Sequence, residues 1–298
     1  MKEIIITGHT GFIGTSLTQK LISSPYKITG ISRTKQKQFS IKQKQKDLNK
    51  ITNSDIPKNS IIGHLSANAD FALCQKKPKE CFLTNVIGTE HLLEIARKKD
   101  CKLLFVGTRH IYGIPRKLPI KEDHCREANS IYSATKLQAE ILCESFSKTY
   151  SMDITTVRLF SGYGPKSPQN SLILRIIKQL LEKNELRLGN LFPKRDFIFI
   201  DDVVSALVML LKQIKGFNTF NIGSGSSTSI QTLCDKLMKL EKKTVPIIQE
   251  KTLLRKDDIP EIRADISKIK QLGWEPKISL DEGLKRTLFG IKHAGNYF

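Results

Sequence analysis

Apolar and polar positions follow two rhythms along this chain. Short, nearly unbroken apolar runs occur at 3–7 (EIIIT), 27–32 (KITGIS), 60–65 (SIIGHL), 102–107 (KLLFVG) and 154–159 (ITTVRL). Runs of this length read as strands buried on both faces. Between them the period lengthens. Ile13, Leu17 and Leu21 recur every four residues until Pro25 ends the stretch, and NVIGTEHLLEIARKK at 85–99 is also spaced as an amphipathic helix. Strand and helix in alternation predict a doubly wound α/β fold, a parallel sheet with helices on both faces. Such sheets bind ligands at the carboxyl ends of their strands. After about residue 163 the rhythm loosens, with Gly164 and Pro165 at the break and shorter helical pieces at 170–183, 202–213, 229–241 and 280–290. The expected division is a first domain over 1–163 and a smaller α/β lobe over 164–298, with 196–215 returning to the sheet.

Composition narrows the class. Of 298 residues, 39% are hydrophobic, enough for the core of one large α/β unit or two domains. No apolar run approaches the roughly 18 residues that span a bilayer. Met1 leads almost at once into EIIITG, so no secretory leader is expected. The cysteines at 74, 81, 101, 125, 143 and 234 form no CxxC pair and no metal-type spacing. They read as isolated buried thiols of a cytoplasmic protein, with no metal site and no disulfide framework. The net charge of +20 raises the question of nucleic acid. The cations are spread along the whole chain without interleaved aromatics, which favours a lysine-rich solvated surface. One cationic stretch stands apart, RTKQKQFSIKQKQK at 33–46.

TGHTGFIG at 7–14 sets Gly8, Gly11 and Gly14 between the first strand and the first helix, with Phe12 and Ile13 among them. Glycine permits a tight turn and lets a pyrophosphate approach the backbone, and the helix N-terminus supplies unpaired N–H donors. The spacing is GxxGxxG, and its place directly after an N-terminal strand gives it weight. NAD sites carry an acid about twenty residues further on, whereas NADP sites carry a cation for the extra phosphate. Residues 4–46 contain no Asp or Glu, and the second strand ends ISRT, so Ser32 and Arg33 stand where the acid would be. Lys35 and Lys37 follow. This pattern predicts NADP in preference to NAD.

YSATK at 132–136 sets Tyr132 and Lys136 one helical turn apart, after Asn129 and Ser130, either of which can cap the helix. A tyrosine of pKa about 10 is a poor base at neutral pH. A nearby ammonium and a positive nicotinamide lower that pKa, so the phenol can exchange a proton with a carbinol oxygen while a hydride moves. The spacing also arises by chance, as at Tyr112 and Arg116. The order along the chain distinguishes Tyr132: glycine turn, a strand ending in Thr108, then the Tyr-Lys helix.

With these residues in place, the chain resembles the extended short-chain dehydrogenase/reductase family, in its nucleotide-sugar epimerase/dehydratase group. The resemblance runs through TGHTGFIG, KDLN (46–49), HLSA (64–67), TNVIGTEHLLEIA (84–96), VGTRHIYG (106–113), YSATKLQAE (132–140), VRLFSGYGP (157–165), RDFIFIDDVVSA (195–206), FNIGSGSS (220–227) and the segment 264–287. It implies a Rossmann-type domain with a substrate-binding lobe. By match to the family's motifs, Thr108 is the hydroxyl on the reacting sugar oxygen, Tyr132 the acid/base, and Lys136 the residue that holds the nicotinamide ribose. Asp47 and Leu48 match adenine contacts. Leu65, Ser66 and Ala67 match the backbone beside the pyrophosphate and ribose. Asn85 matches a structural asparagine, while Arg195 and Arg263 resemble cations that clamp the substrate diphosphate. A homodimer through 85–99 and 131–148 is also implied.

The departures bear on the reaction. Ser161 stands where the family has asparagine, which alters one substrate contact. Gly107 replaces a serine, which would widen the pocket. The family's 4,6-dehydratases resemble one another in a Thr-Asp-Glu run where this chain has Thr108-Arg109-His110. Arginine cannot act as the missing base, and His110 reads as an oriented structural side chain. Hydride transfer at C4 of a nucleotide sugar remains. A 4-ketoreductase in deoxysugar or surface-polysaccharide synthesis is slightly favoured by Arg33 over a 4-epimerase. A non-catalytic scaffold, binding cofactor or RNA, is the reading from another class.

Overall fold

The apolar runs all become strands. The computed structural model describes residues 2–254 and 258–293. Its strands are β1 (Glu3–Thr7), β2 (Lys27–Ser32), β3 (Lys42–Gln45), β4 (Ile61–His64), β5 (Lys102–Thr108), β6 (Ile154–Leu159), β7 (Ser161–Tyr163), β8 (Leu186–Leu188), β9 (Lys194–Arg195), β10 (Phe197–Phe199), β11 (Phe217–Ile222), β12 (Thr228–Ser229) and β13 (Ile247–Gln249). The helices are α1 (Phe12–Ile22), α2 (Phe71–Lys76), α3 (Pro78–Phe82), α4 (Gly88–Lys98), α5 (Ile131–Tyr150), α6 (Leu172–Glu182), α7 (Ile200–Lys212), α8 (Ile230–Glu241), α9 (Ser267–Lys270) and α10 (Leu280–His293). None is long and apolar enough to cross a membrane, and no cluster of potential metal ligands occurs among the described residues.

The chain divides into two units. The first comprises Met1–Ile114, Glu122–Leu159 and Val204–Ile222. Its sheet has the order β11-β6-β5-β4-β1-β2-β3, with every pair parallel. Helices cover both faces of such a sheet, which is why β4 and nearly all of β5 are buried. Ile5, Ile62, Leu103 and Phe105 from the sheet meet Leu92, Leu93 and Ala96 of α4 and Ala139 and Cys143 of α5 in one core. Strand order reverses at β1. The chain moves outward to β2 and β3, then returns to β4 on the other side, leaving a crevice at the carboxyl ends of β1 and β4. Gly8 turns there with φ +73°, and a Cβ on it would lie 2.8 Å from Ser66 N.

The second unit comprises Pro115–Lys121, Phe160–Val203 and Gly223–Phe298. Its strands pair in twos: β10 with β7, β12 with β9, β13 with β8. Asp196 is fully buried and ties backbone segments together, accepting from Ser224 N (2.6 Å), Gly225 N (3.1 Å) and Ala264 N (3.0 Å). Burial pushes its carboxyl above the usual range despite those bonds. The segment that rejoins the sheet is Val204–Ile222 rather than 196–215, because β11 extends the sheet by pairing with β6. Pro115–Lys121 belongs to the second unit, where Ile120 N donates to Arg263 O at 2.8 Å.

The cysteine expectation fails at one pair. Cys74 and Cys81 form a disulfide with Cα atoms 5.2 Å apart. Seven residues along a continuous helix would separate them by roughly 10.5 Å. The helix instead breaks at Lys77 (φ −131°, ψ 64°), and Pro78 opens α3 in a new direction. Cys101, Cys143 and Cys234 remain buried thiols, and Cys125 is half-buried.

Candidate active site

The crevice holds a cavity of about 210 Å³. It is lined by Gly8, Gly11, Ser32, Arg33, Asp47, Leu48, Leu65, Ser66 and Ala67, and also by Thr10, Thr34, Lys46 and Thr84, which the sequence did not single out. Gly11 caps α1 without a side-chain hydrogen bond, so the first-turn N–H groups carry no side-chain acceptor. Gly8 and Gly11, having no side chains, leave the backbone open to a bulky anion. These features fit a dinucleotide pyrophosphate. Gly14 is needed for a different reason: a Cβ on it would collide with Gly8 O inside the turn. Phe12 and Ile13 open α1 half-buried and do not line the cavity.

Behind Ser32 lies a residue that sequence reading passed over. His9 is fully buried, with Nδ1 3.1 Å from Ser32 Oγ and Nε2 3.0 Å from Gln43 Oε1. Gly30 has no side chain because the His9 ring occupies that space. Of the cations in 33–46, Arg33 and Lys46 reach the cavity. Lys46 and Lys44 also pair with Asp55, at 2.6 and 3.0 Å. Burial works to raise the Asp55 carboxyl, but hydrogen bonds from Lys46, Thr52 and Lys44 win and hold it well below the usual range.

The three candidate catalytic residues come together in the first unit. Thr108 ends β5, buried, and its Oγ1 accepts from His110 N at 3.3 Å. Tyr132 and Lys136 lie in the first turns of α5, which opens on a capping box. Ser130 Oγ accepts from Ser133 N at 3.1 Å and Ser133 Oγ from Ser130 N at 2.9 Å. Burial raises the Tyr132 pKa above the ordinary value, while a hydrogen bond with the Thr108 hydroxyl and the Arg109 charge oppose it. Lys136 Nζ donates to Val106 O at 2.9 Å and sits 4.1 Å from the Phe105 ring centre. Burial brings its pKa down to about 8, with Cys143 and Glu140 acting in the opposite sense.

Neighbouring residues fix this set. One turn beyond Lys136, Glu140 pairs with Arg158 at 2.6 Å, both buried. Arg158 donates to Tyr112 Oη (2.8 Å), which donates to Asn221 Oδ1 (2.7 Å), so Tyr112 is a structural phenol. Gly107 does not widen the pocket as expected: a Cβ there would lie 2.8 Å from Val157 O and 3.4 Å from Glu140 Oε2, inside the packing of the sheet. Asn85 sits in a π-helical turn, Leu83–Ile87, and grips Asn68 at both N (2.7 Å) and O (3.0 Å). Phe71 packs its ring 4.9 Å from Tyr132 and 4.7 Å from His110. Neither Phe71 nor the cystine carried a sequence signal.

The remaining candidates lie in the second unit. Ser161 opens β7, and its N–H donates to Asp196 O at 3.0 Å. Arg195 is engaged with Asp258 Oδ1 (2.8 Å) and Ile259 O (2.7 Å). Arg263 is brought close in register, since Lys194 bridges Glu261. Its Nε is buried, makes no hydrogen bond, and stands 3.6 Å from Glu261 Oε1.

A parallel sheet with an order reversal at β1, a glycine turn over the crevice and a hydroxyl-phenol pair at the end of β5 define a Rossmann-type dinucleotide enzyme. The chain belongs to the NAD dependent epimerase/dehydratase family, whose model matches residues 4–223. It is 31% identical to a UDP-glucuronate 4-epimerase of Thermodesulfobacterium geofontis, across 97% of this chain and 95% of that one. Among solved structures, UDP-glucose 4-epimerase of Thermotoga maritima with UDP-glucose superposes with a TM-score of 0.88 at 27% identity, covering 99% of this chain and 100% of that one. UDP-glucuronic acid 4-epimerase of Bacillus cereus, in complex with UDP-glucuronic acid and NAD, gives 0.87 at 27% identity, covering 98% and 99%. The chain is a nucleotide-sugar enzyme of the epimerase/dehydratase group.

Proposed function

We propose that this enzyme is an NAD(P)-dependent UDP-sugar 4-epimerase. One observation carries the reading: Thr108 at the carboxyl end of β5 and Tyr132 in the first turn of α5 come together beside Lys136, and no carboxylate follows Thr108 in its turn. A hydroxyl and a phenol can share one sugar oxygen, whereas elimination of water needs an acid and base that this turn lacks. The 4-epimerase relatives favour epimerisation over the 4-keto reduction and deoxysugar role expected from the sequence.

When bound, the cofactor supplies reversible uptake of a hydride from sugar C4. Gly8, Gly11 and the first turn of α1 would hold its pyrophosphate, Leu65–Ala67 the adjoining backbone, and Asp47 and Leu48 the adenine. Tyr132 takes the proton of the C4 hydroxyl as that carbon is oxidised and returns it when the opposite face is reduced. Thr108 keeps the oxygen within reach. Lys136, anchored on Val106 O, would hold the nicotinamide ribose. Arg195 and Arg263 of the second unit are the proposed diphosphate cations, and Ser161 is the proposed sugar contact.

Ser32, Arg33, Thr34 and Lys46 around the ribose end support NADP over NAD. Tighter NADPH than NADH binding is expected; equal or tighter NADH binding removes this preference. The same reading includes a homodimer in the cytoplasm with neither nucleic acid nor membrane as partner. To test the activity, purified protein is incubated with UDP-glucose and UDP-glucuronate, and the products are followed by NMR. Interconversion at C4 without net nicotinamide turnover supports epimerisation. Stoichiometric NADPH oxidation by a 4-keto sugar nucleotide, with no epimerisation, would replace it with the reductase.

A further inference from the structure

The cystine lies where the two halves of the site are joined. Cys74, Cys81 and Tyr132 form one buried cluster, with both cysteines inaccessible. Through α2, Cys74 is tied to Phe71, whose ring packs 4.9 Å from that of Tyr132. Cys81 Sγ lies 3.3 Å from Asn85 Nδ2 and 3.5 Å from Thr135 Oγ1. Asn85 in turn holds Asn68, the residue after Ala67 in the cavity wall. One covalent bond thus connects the packing of the phenol to the backbone that closes the crevice.

We propose that Cys74 and Cys81 are a redox-active site whose bond fixes the cofactor wall, and that a dithiol reductant opens it. A thiolate of the reductant attacks one sulfur; the S–S bond breaks and its electron pair leaves on the other, which is protonated. The second thiol of the reductant then resolves the mixed disulfide. The protein gains two electrons and two protons and becomes a dithiol, while the reductant becomes its own disulfide. Cysteine pairs of reducing compartments that do bond are typically redox-sensing rather than structural.

Access and consequence both follow from the location. The α2 helix has six residues, and its Phe71 and Leu73 are 40% and 39% exposed, so this short element can open locally to admit a thiolate. Two thiol sulfurs in contact sit about 1.5–2 Å further apart than bonded ones. In a dense, fully buried cluster that displacement moves Phe71 or Asn85. A misplacement of this order at a binding site costs roughly tenfold or more.

The proposal rests on the cofactor reading above, and its test keeps the two apart. Protein purified without reductant is exposed to glutathione disulfide, denatured, alkylated and mapped by mass; Cys74 and Cys81 should resist alkylation. NAD and NADP dissociation constants are then titrated before and after dithiothreitol. Roughly tenfold weaker binding is expected on reduction. Cys74→Ala and Cys81→Ala should bind weakly from the outset and ignore the reductant, whereas Cys125→Ser should still respond. Alkylation of both cysteines after oxidation, equal affinities in the two states, or a Cys74→Ala protein that still responds would overturn the site. If no nicotinamide cofactor binds in either state, the functional reading fails instead. Hydrogen exchange over 65–87 then decides the redox site: faster exchange on reduction supports it and unchanged exchange overturns it.

Discussion

Tyr132 shows how a single side chain is poised by opposed forces. Burial raises its pKa, and Thr108 and Arg109 pull against that burial. Replacing Tyr132 with Phe keeps the ring on Phe71 and removes only the proton carrier. Turnover should fall by about 10²–10⁴, with the cofactor dissociation constant nearly unchanged. Stopped turnover assays with parallel cofactor titration check this. His64 gives a second case at this scale. Thr89 Oγ1 donates to Asn85 O (2.7 Å), so it accepts from His64 Nε2 (3.0 Å), and Nδ1 accepts from Thr7 Oγ1 (2.8 Å). The ring is held neutral, and burial, with the Lys136 charge, takes its pKa down to about 3. An unfolded histidine titrates near 6.5, so acid protonates the unfolded state first. The stability His64 contributes is complete above about pH 6.5 and is lost as pH falls towards 3. At pH 5 the loss is about 2 kcal/mol. Urea unfolding at pH 7 and 5 should show that slope, and His64→Gln should flatten it.

Among the elements, α5 carries both chemical residues, and its first turn depends on Ser130. Ser130→Ala removes the acceptor for Ser133 N and should cost about 1 kcal/mol, seen as a melting point lower by roughly 2–4 °C. Because Tyr132 stands two residues inside that cap, kcat should fall as well. The five apolar strands were legible because a parallel strand buried on both faces is largely apolar along its length. The strand β3 was not: KQKQ carries no apolar residue and is held by pairing with β2 and by Gln43, whose amide bonds Gln36 O and Phe39 O. Thr108, Tyr132 and the glycine turn were legible because their spacing is tied to element ends. Phe71, His9 and the Cys74–Cys81 bond were not, since each acts through a fold-back or a long-range contact that leaves no period in the chain.

For the whole molecule, the homodimer reading gains a surface. Leu83, Ile87 and Ile141 are about 40% exposed on the π-helical turn and α5, within or beside the two segments named from the sequence. Light scattering should give twice the chain mass of 33.7 kDa, and Ile87→Glu combined with Ile141→Glu should bring it to the single value. A monomeric parent protein would contradict that reading. The charge of +20 is distributed, and only Arg33 and Lys46 of the basic stretch reach the cavity.

The unremarkable strand β3 has one more consequence. It is the outermost member of the seven-stranded sheet, with Lys42 and Gln45 exposed along its margin. Another chain adding a strand there would have to strip water from an ammonium group before forming its first ladder bond. The basic, apolar-free sequence that hid this strand from pattern reading therefore also guards against runaway assembly. Lys42→Val should leave the melting point nearly unchanged, yet speed turbidity growth in concentrated, warmed solutions.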